Sequence, residues 1–411
     1  MGFRVRAGKP DDFEAVVRLL LLAFHDNPDD RELAETDRLV FEAERSLIAI
    51  DDTESGEEVV GHTGIFTRDL TVPGAVIPAA FVTMVAVAGT HRRQGVASTL
   101  LRQQLADVRA TGEPVAVLWA SEGRIYQRFG YGLASRRMGL KINTREVQLN
   151  APRAAQSRIR AGAPKDLLAD LVPAYEAVRA GRPGFASRSK QWWDFLLADP
   201  AARRGGGGPQ RAIVHEGPNG PDGYALFRVK QGWHDGGPDG KVMVHHVVAA
   251  NPAAYRELWR YLLDIDLTRS VSLHFAAIDE PLFDMVNEPR QLGATVGDGL
   301  WLRIVDVPAA LSARRYAAPI DLVLDISDDL FPQNTGRFRL TGLTGGAHCV
   351  LSTDPADLSL DVGTLGALYL GGGTAGALAD AGRINELRPG AVAEAHAAFT
   401  WHRAPAGIEM F

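Results

Sequence analysis

Residues 92–97 read Arg-Arg-Gln-Gly-Val-Ala. Two guanidinium groups, an amide and a glycine crowd a point between an apolar run, FVTMVAVAG (81–89), and a helical-looking run, ASTLLRQQLADVRATG (97–112). A helix N-terminus exposes unpaired N–H groups and carries a partial positive charge, which makes it a site for anions. Gly95 lets a ligand approach the backbone closely, and Arg92 and Arg93 supply planar donors suited to phosphate. Two other stretches fit the same template, Gln127 to Gly132 (QRFGYG) and Arg203 to Gly208 (RRGGGG). Only 92–97 has an apolar strand before it and an amphipathic helix after it, with Leu100, Leu101, Leu105 and Val108 as the buried stripe. The pattern is neither a Rossmann fingerprint nor a Walker A loop.

Downstream, VAVLWASEGRIYQRFGYGLAS (115–135) reads as a strand, a short helix carrying Tyr126, and an FGYG turn into another strand. A phenol with an unperturbed pKa of about 10 stays protonated at neutral pH and can give its proton to a departing thiolate. The other reading of Tyr126 is a packing aromatic. His245-His246 in VMVHHVVAA fall on opposite sides of a strand, which points to core packing and not to a shared metal. Leu370 to Thr374 (LGGGT) precedes a helix without any basic residue and reads as a turn. Cys349 is the single cysteine, so the chain has no intrachain disulfide and no multi-cysteine zinc site. Cys349 itself is expected to be structural, and no metal is expected.

These residues must be positioned by a sizeable scaffold. The 411 residues suffice for two to four domains. With 46% hydrophobic and 23% charged residues the composition is that of a soluble globular protein. Fifty acidic against 44 basic side chains give a formal net charge of -6. This balance argues against nucleic-acid binding and suits a cationic partner. The N-terminus, MGFRVRAGKPDDFEAVV, lacks a Sec-type signal, and the longest apolar run, LLLLAF (19–24), is far short of a membrane span. The expectation is a cytoplasmic protein with no membrane partner.

Along the chain, a strand FRVRA (3–7) leads into a helix to about Phe24, with Phe13, Val16, Val17, Leu20 and Phe24 on its buried face. A second helix is expected over 31–43, then a strand SLIAI (46–50), a turn at Glu54-Ser55-Gly56-Glu57, and β-rich segments at 59–68 and 75–87. This first α/β unit ends near 150. Residues 155–290 repeat the order: RIRAG, a helix over 165–180, strands at 212–216, 224–229 and 242–250, a helix over 252–265 and a strand over 270–276. Where the first unit has THRRQGVA the second has AANPAAY, without the glycine or the arginines. An internal duplication with one live copy accounts for this. Residues 205–208 and 217–223 read as surface loops. From about 297 an α+β unit follows: a strand and helix over 300–316, strands at 320–326 and 336–342, and helices over 374–387 and 390–399.

The spacing Arg-x-x-Gly-x-Ala at 92–97 resembles the pyrophosphate signature of acetyl-CoA-dependent N-acetyltransferases of the GNAT type. With Tyr126 after SEGRI, the three-unit order and a chain ending in phenylalanine, the whole sequence resembles the enhanced intracellular survival (Eis) family of aminoglycoside N-acetyltransferases. The resemblance implies tandem GNAT-like units, 1–150 catalytic and 151–296 degenerate, followed by a sterol-carrier-protein-like unit over 297–411. It implies acetyl-CoA as cosubstrate, backbone at Val85, Ala86 and Val87 against the pantetheine arm, and pyrophosphate held by Arg92, Arg93, Gln94, Gly95, Val96, Ala97 and Ser98. Ser121 and Glu122 would flank the thiol end, with Tyr126 as general acid and the terminal carboxylate of Phe411 as base. Asp26 would face the amine of a polycationic small molecule such as an aminoglycoside, and Glu409 is a candidate rim group beside it. Residues 30–45 contain no tryptophan or tyrosine, so the family's aromatic pocket residues are not carried over there. The family further implies a homohexamer. Two alternatives stay open: a protein lysine acetyltransferase, and a non-catalytic carrier of an apolar ligand.

Overall fold

A computed structural model describes residues 2–53, 56–150, 152 and 157–411. Glu54 and Ser55, half of the expected turn at 54–57, lie outside the described residues. The first sheet runs from β1 (Phe3–Ala7) through β2 (Leu47–Thr53), β3 (Gly56–Val72) and β4 (Ala75–Val87) to β5 (Val115–Trp119). The first three pairings are antiparallel and β4–β5 is parallel, with α3 (Val96–Thr111) as its crossover. Helices α1 (Phe13–Ala23) and α2 (Arg31–Arg38) lie between β1 and β2 in the chain, and α4 (Gly123–Gln127) follows β5. α2 is shorter than the expected helix over 31–43, and a 3-10 turn at Ala43–Arg45 leads into β2.

The second sheet repeats this order. β8 (Arg158–Gly162), β9 (Arg211–Gly217), β10 (Gly220–Lys230), β13 (Gly240–Ala249) and β14 (Thr268–Ala276) follow one another, with β13–β14 the parallel pair. α5 (Leu168–Arg179) and α6 (Lys190–Leu196) precede β9, and α7 (Pro252–Leu263) is the crossover. Trp233–His234 (β11) and Gly237–Pro238 (β12) form a small separate hairpin. Residues 217–223, expected as a loop, are a hairpin turn: β10 begins at Gly220, whose φ of 104° makes the reversal.

Each sheet is completed by a strand from the other half of the chain. β16 (Leu300–Ile304) lies between β5 and β6 (Tyr131–Leu133) in the first sheet, whereas β7 (Arg136–Asn143) lies between β14 and β15 (Thr295–Asp298) in the second. The strand at 300–304, expected to open the third unit, is therefore an inner strand of the first. All five of its residues are buried, as an apolar run covered on both faces must be. The exchange locks the two α/β units together.

The third sheet has the order β19-β18-β17-β20-β21, formed by Gly346–Leu351, Gly336–Leu343, Ile320–Ser327, Leu358–Asp361 and Ile384–Glu386 respectively. Helices α8 (Val307–Ala313), α9 (Val362–Tyr369), α10 (Ala375–Asp380) and α11 (Ala391–Phe399) cover it. The helix expected over 374–387 stops at Asp380, because Gly382 turns left-handed (φ 70°) and the chain returns as β21. α9 is buried at every residue, as a helix apolar all round must be. Its glycines let it ride on the first sheet: a Cβ on Gly366 would lie 2.4 Å from the Leu302 carbonyl oxygen. Phe81, Val117 and Leu302 of the first sheet thus share one core with Leu322, Phe338 and Leu360 of the third.

Candidate active site

The stretch at 92–97 forms the junction between β4 and α3. After Val87 a 3-10 turn (Gly89–His91) leads to Arg93 at φ 63° and Gly95 at φ 88°, and Gly95 is the N-cap of α3. The buried His91 ring lies 2.8 Å from Thr90 Oγ1 and 3.1 Å from Asp51 Oδ2, which fixes the turn. Gln94 Nε2 donates to the Thr90 carbonyl at 2.9 Å. Arg92, Arg93, Gln94 and Gly95 are exposed, Val96 is buried, and Ala97 and Ser98 are half-buried. The first turn of α3 holds no acidic residue. A Cβ on Gly95 would meet nothing within 4 Å, so the space over the helix N-terminus is open to a ligand. α3 seats closely because a Cβ on Gly61 would strike Val96 Cγ1 at 2.5 Å. The two rival stretches are used otherwise: Arg203 pairs with Asp37 and Arg204 with Asp199, while Gln127–Gly132 turns into β6.

Ahead of the junction, β4 and β5 pair only at Ala80–Ala116 and Phe81–Val117 and then part. β4 carries a bulge there. Met84 sits at φ 51°, and its register against β3 slips between His62 and Gly64. Burial pushes the pKa of His62 down to about 4, so the ring is neutral. Its Nδ1 donates to the Met84 carbonyl at 2.7 Å and pins the bulge. Val85, Ala86 and Val87 follow the bulge, and their edge away from β3 faces the gap between the parted strands.

Tyr126 reaches the same region from α4. Gly123 starts this helix hard against Trp301, where a Cβ would come within 2.7 Å of the indole. The phenol is buried, its hydroxyl hydrogen-bonds the Ser121 side chain, and its ring meets Tyr131 edge-on at 6.0 Å. Burial raises its pKa, the Ser121 bond opposes that, and the Glu122 charge adds to it. Ser121 and Glu122 are exposed, and Glu122 pairs with Arg124 at 2.9 Å.

The tail is docked: Ile408 packs against the core of the second unit, and Phe411 against the core that the first and third units share. Met410 is 61% exposed. Glu409 does the anchoring. Its carboxylate is buried between Arg68 and Arg188, with Arg188 Nη2 at 2.7 Å and Trp192 Nε1 at 2.9 Å. Its carbonyl accepts from Trp119 Nε1 at 2.9 Å. Glu409 is therefore no rim group for a cationic substrate, because two guanidinium groups already claim it. Burial alone would raise its pKa, but Arg188 and Arg68 outweigh burial and hold it at about 2. Below its ordinary value of 4.5 this group contributes stability that is full above about pH 4.5 and lost as pH falls toward 2. That contribution is on the order of 3 kcal/mol. Glu409→Gln leaves two buried cations uncompensated and should cost about 3–5 kcal/mol at neutral pH. Denaturant midpoints of the two proteins at pH 7 and pH 4 check this. Equal midpoints at pH 7 would refute the clamp.

Held by this clamp, Phe411 lays its ring on Phe81 with centroids 4.8 Å apart. Phe81 is the last β4 residue paired with β5. A cavity of about 630 Å³ opens beside the tail, between α1 and α2 on one side and the second sheet on the other. Asp26 is exposed at its wall, and so is Phe24, which the helical pattern had assigned to the buried face. Its other phenylalanines are Phe66, Phe195, Phe275 and Phe411, Phe195 and Phe275 coming from the second unit and none from 30–45. His245 and His246, read from sequence as core packing, also line this cavity. Burial pushes their pKa values down to about 4 and about 3, leaving both neutral. Alternation along a strand carries no information on which side faces a cavity, so the sequence held no signal for them.

Residues 4–134 match an acetyltransferase (GNAT) domain family, residues 184–304 a second acetyltransferase (GNAT) domain family, and residues 307–406 a sterol carrier protein domain family. An uncharacterized N-acetyltransferase of Streptomyces avermitilis is 41% identical over 403 residues, covering 98% of each chain. The N-acetyltransferase Eis of Mycobacterium tuberculosis is 35% identical over 386 residues, covering 91% of each. The crystal structure of Eis1 from Mycobacterium abscessus superposes with a TM-score of 0.82 at 31% identity, covering 100% of both chains. With two acetyltransferase units, a sterol-carrier-like third unit and relatives along its whole length, this chain belongs to the Eis family of GNAT N-acetyltransferases.

Proposed function

We propose that this acyltransferase moves the acetyl group of acetyl-CoA to the primary amine of a cationic small molecule. Tyr126 serves as general acid and the terminal carboxylate of Phe411 as general base. The observation that carries this reading is the docked tail, whose Phe411 ring lies on Phe81 at the point where β4 and β5 part. The amine nitrogen attacks the thioester carbonyl, the new C–N bond forms and the C–S bond breaks. Before attack the ammonium gives one proton to the Phe411 carboxylate, directly or through a water; the Tyr126 proton goes to the leaving thiolate, and the second nitrogen proton, lost as the amide forms, restores the phenol through solvent. Along the parted strands, backbone at Val85, Ala86 and Val87 takes the pantetheine arm, and Ser121 and Glu122 flank its thiol end. The junction from Arg92 through Arg93, Gln94, Gly95, Val96 and Ala97 to Ser98 holds the pyrophosphate.

In this reading the unit of residues 1–150 is catalytic and that of 151–296 a degenerate copy, apart from the exchanged strands β7 and β16, and the sterol-carrier-like unit begins at α8, the whole assembled as a cytoplasmic homohexamer. Light scattering on the purified protein checks the assembly. The Eis resemblance makes aminoglycosides the first acceptors to try, with Asp26 facing the amine and protein lysines as the alternative. Against the carrier alternative stands the packed interior of the third unit. Arg314 is buried there, donates to the Phe399 carbonyl at 3.0 Å and lies over the Tyr316 and Phe399 rings. Labelled acetyl-CoA offered with a panel of small amines and with a lysine-rich protein tests the function. Label should move to small amines with release of free thiol, and a panel left wholly unlabelled would sink the enzymatic reading.

Gly95→Asp tests the junction. A like charge about 5 Å from a pyrophosphate costs ~3 kcal/mol at an effective dielectric of 20, or about 10²-fold in affinity. Asp tolerates the left-handed conformation better than most residues, so the fold should persist. Titration calorimetry with acetyl-CoA reads the loss, and unchanged affinity would remove 92–97 from the donor site.

A further inference from the structure

The second unit keeps the backbone that opens a slot in the first and lacks the groups that grip phosphate. β13 and β14 pair as far as Val244–Leu273 and then part. β13 is bulged at that point, its register against β10 slipping so that His245 has no partner, as Met84 has none in β4. A cavity of about 290 Å³ fills the gap, with residues 245–250 of β13 and its end on one side and Leu273, Phe275 and Ala276 on the other. Beyond it α7 begins with neither glycine nor arginine. Asn251 Oδ1 caps the helix 2.9 Å from Ala254 N, and Pro252 has no N–H to offer. Asp222 accepts from Asn251 Nδ2 at 2.6 Å, so a phosphate arriving here would meet a carboxylate.

Three charged side chains line the slot: Arg182, Glu280 and Arg403. Arg182 is held by Asp279 at 3.0 Å and Arg403 is exposed at the surface, so with Asp279 two cations balance two carboxylates. Glu280 is buried; its Oε1 accepts from the Tyr255 hydroxyl and from Leu282 N, and its Oε2 has no hydrogen-bond partner among the described residues. The neutral His246 gives its ring proton to the Ile408 backbone, so its buried, unpartnered Nδ1 presents a lone pair. The slot thus holds two acceptors without donors, between apolar walls that include Val247, Leu273, Phe275 and Met285. A buried acceptor left without a donor costs free energy, and apolar walls gain by excluding water. We propose that the parted strands of the second unit form a ligand site of their own, for a small neutral alcohol or phenol with an apolar body and no phosphate. It is separate from the acetyl-CoA groove, and it shares with the 630 Å³ cavity only the wall of His245, His246, Val244's neighbours along β13, Phe275 and Ile408.

The test titrates 4-ethylphenol and ethylbenzene, which differ by one hydroxyl, into the full-length protein in a calorimeter. 4-Ethylphenol should bind once per chain and about tenfold more tightly than ethylbenzene, the scale of one hydrogen bond to a buried carboxyl. Saturating acetyl-CoA should leave that affinity unchanged. Glu280 and Met285 line this slot and not the larger cavity, so substitutions there locate the probe. Glu280→Gln keeps one oxygen for Tyr255 and Leu282 and replaces the unpartnered one with a donor, which should remove about the same tenfold. Met285→Trp starts from a half-buried side chain and brings an indole into the slot, which should abolish binding. Circular dichroism checks that each variant is folded, and Met285→Trp decides alone if Glu280→Gln is not. Equal affinity for the two probes, no binding of 4-ethylphenol, its displacement by acetyl-CoA, or full affinity in Met285→Trp would each overturn the proposal.

Discussion

A single glycine appended after Phe411 is expected to lower turnover by at least about 10²-fold, the scale of a lost general base, while acetyl-CoA affinity stays as it was. An amine with a lysine-like pKa of about 10.4 is an ammonium at pH 7, and freeing it costs roughly 4–5 kcal/mol. The histidines nearest the parted strands do not meet that need. Burial holds the pKa of His62 at about 4, so its free ring nitrogen is a weak base, and His245 and His246 on the cavity wall are held at about 4 and about 3. A terminal carboxylate is a weak base in water, pKa about 3.5, but desolvation in a cleft raises it. One added residue moves the carboxylate by about 3.5 Å. It leaves Glu409 in its clamp and the Phe411 ring on Phe81. Single-turnover and steady-state rates of the extended protein, beside a calorimetric titration with acetyl-CoA, separate chemistry from binding. An extended enzyme of full activity would take the terminal carboxylate out of the mechanism.

The parts of this site legible in the sequence are those whose meaning is local. Gly95 announced itself because a strand ends a few residues before it and a helix begins just after it, and α3 buries the very stripe that periodicity assigns to it. Tyr126 was legible through the short SEGRI lead into α4. The echo between the two α/β units was legible as well, since both sheets repeat one strand order with a single parallel pair near the centre. What escaped depends on partners far along the chain. Glu409 meets Arg188 across 221 residues and Arg68 across 341, so nothing around PAGIEMF marks it as buried. The exchange of β7 and β16 escaped for a related reason. An apolar run says that a strand is covered, and the pairing that covers it is decided elsewhere. Phe24 fits the helical stripe by spacing, but α1 ends one residue earlier and the ring is left facing the cavity.

Tyr126→Phe keeps the ring against Tyr131 and removes only the hydroxyl. Turnover should fall by about 10²–10⁴-fold, the range for loss of a positioned acid, and acetyl-CoA binding should barely move. The pH dependence separates this role from packing. Burial raises the Tyr126 pKa above the usual phenol value near 10, so the acid form persists through neutral pH. The alkaline fall in kcat due to this group belongs above pH 10. Ser121 opposes that shift through its hydrogen bond, so Ser121→Ala should move the alkaline fall to still higher pH. A merely structural tyrosine would leave the profile unchanged in Ser121→Ala. Normal turnover in Tyr126→Phe would mean that the thiolate leaves unaided or takes its proton from another donor.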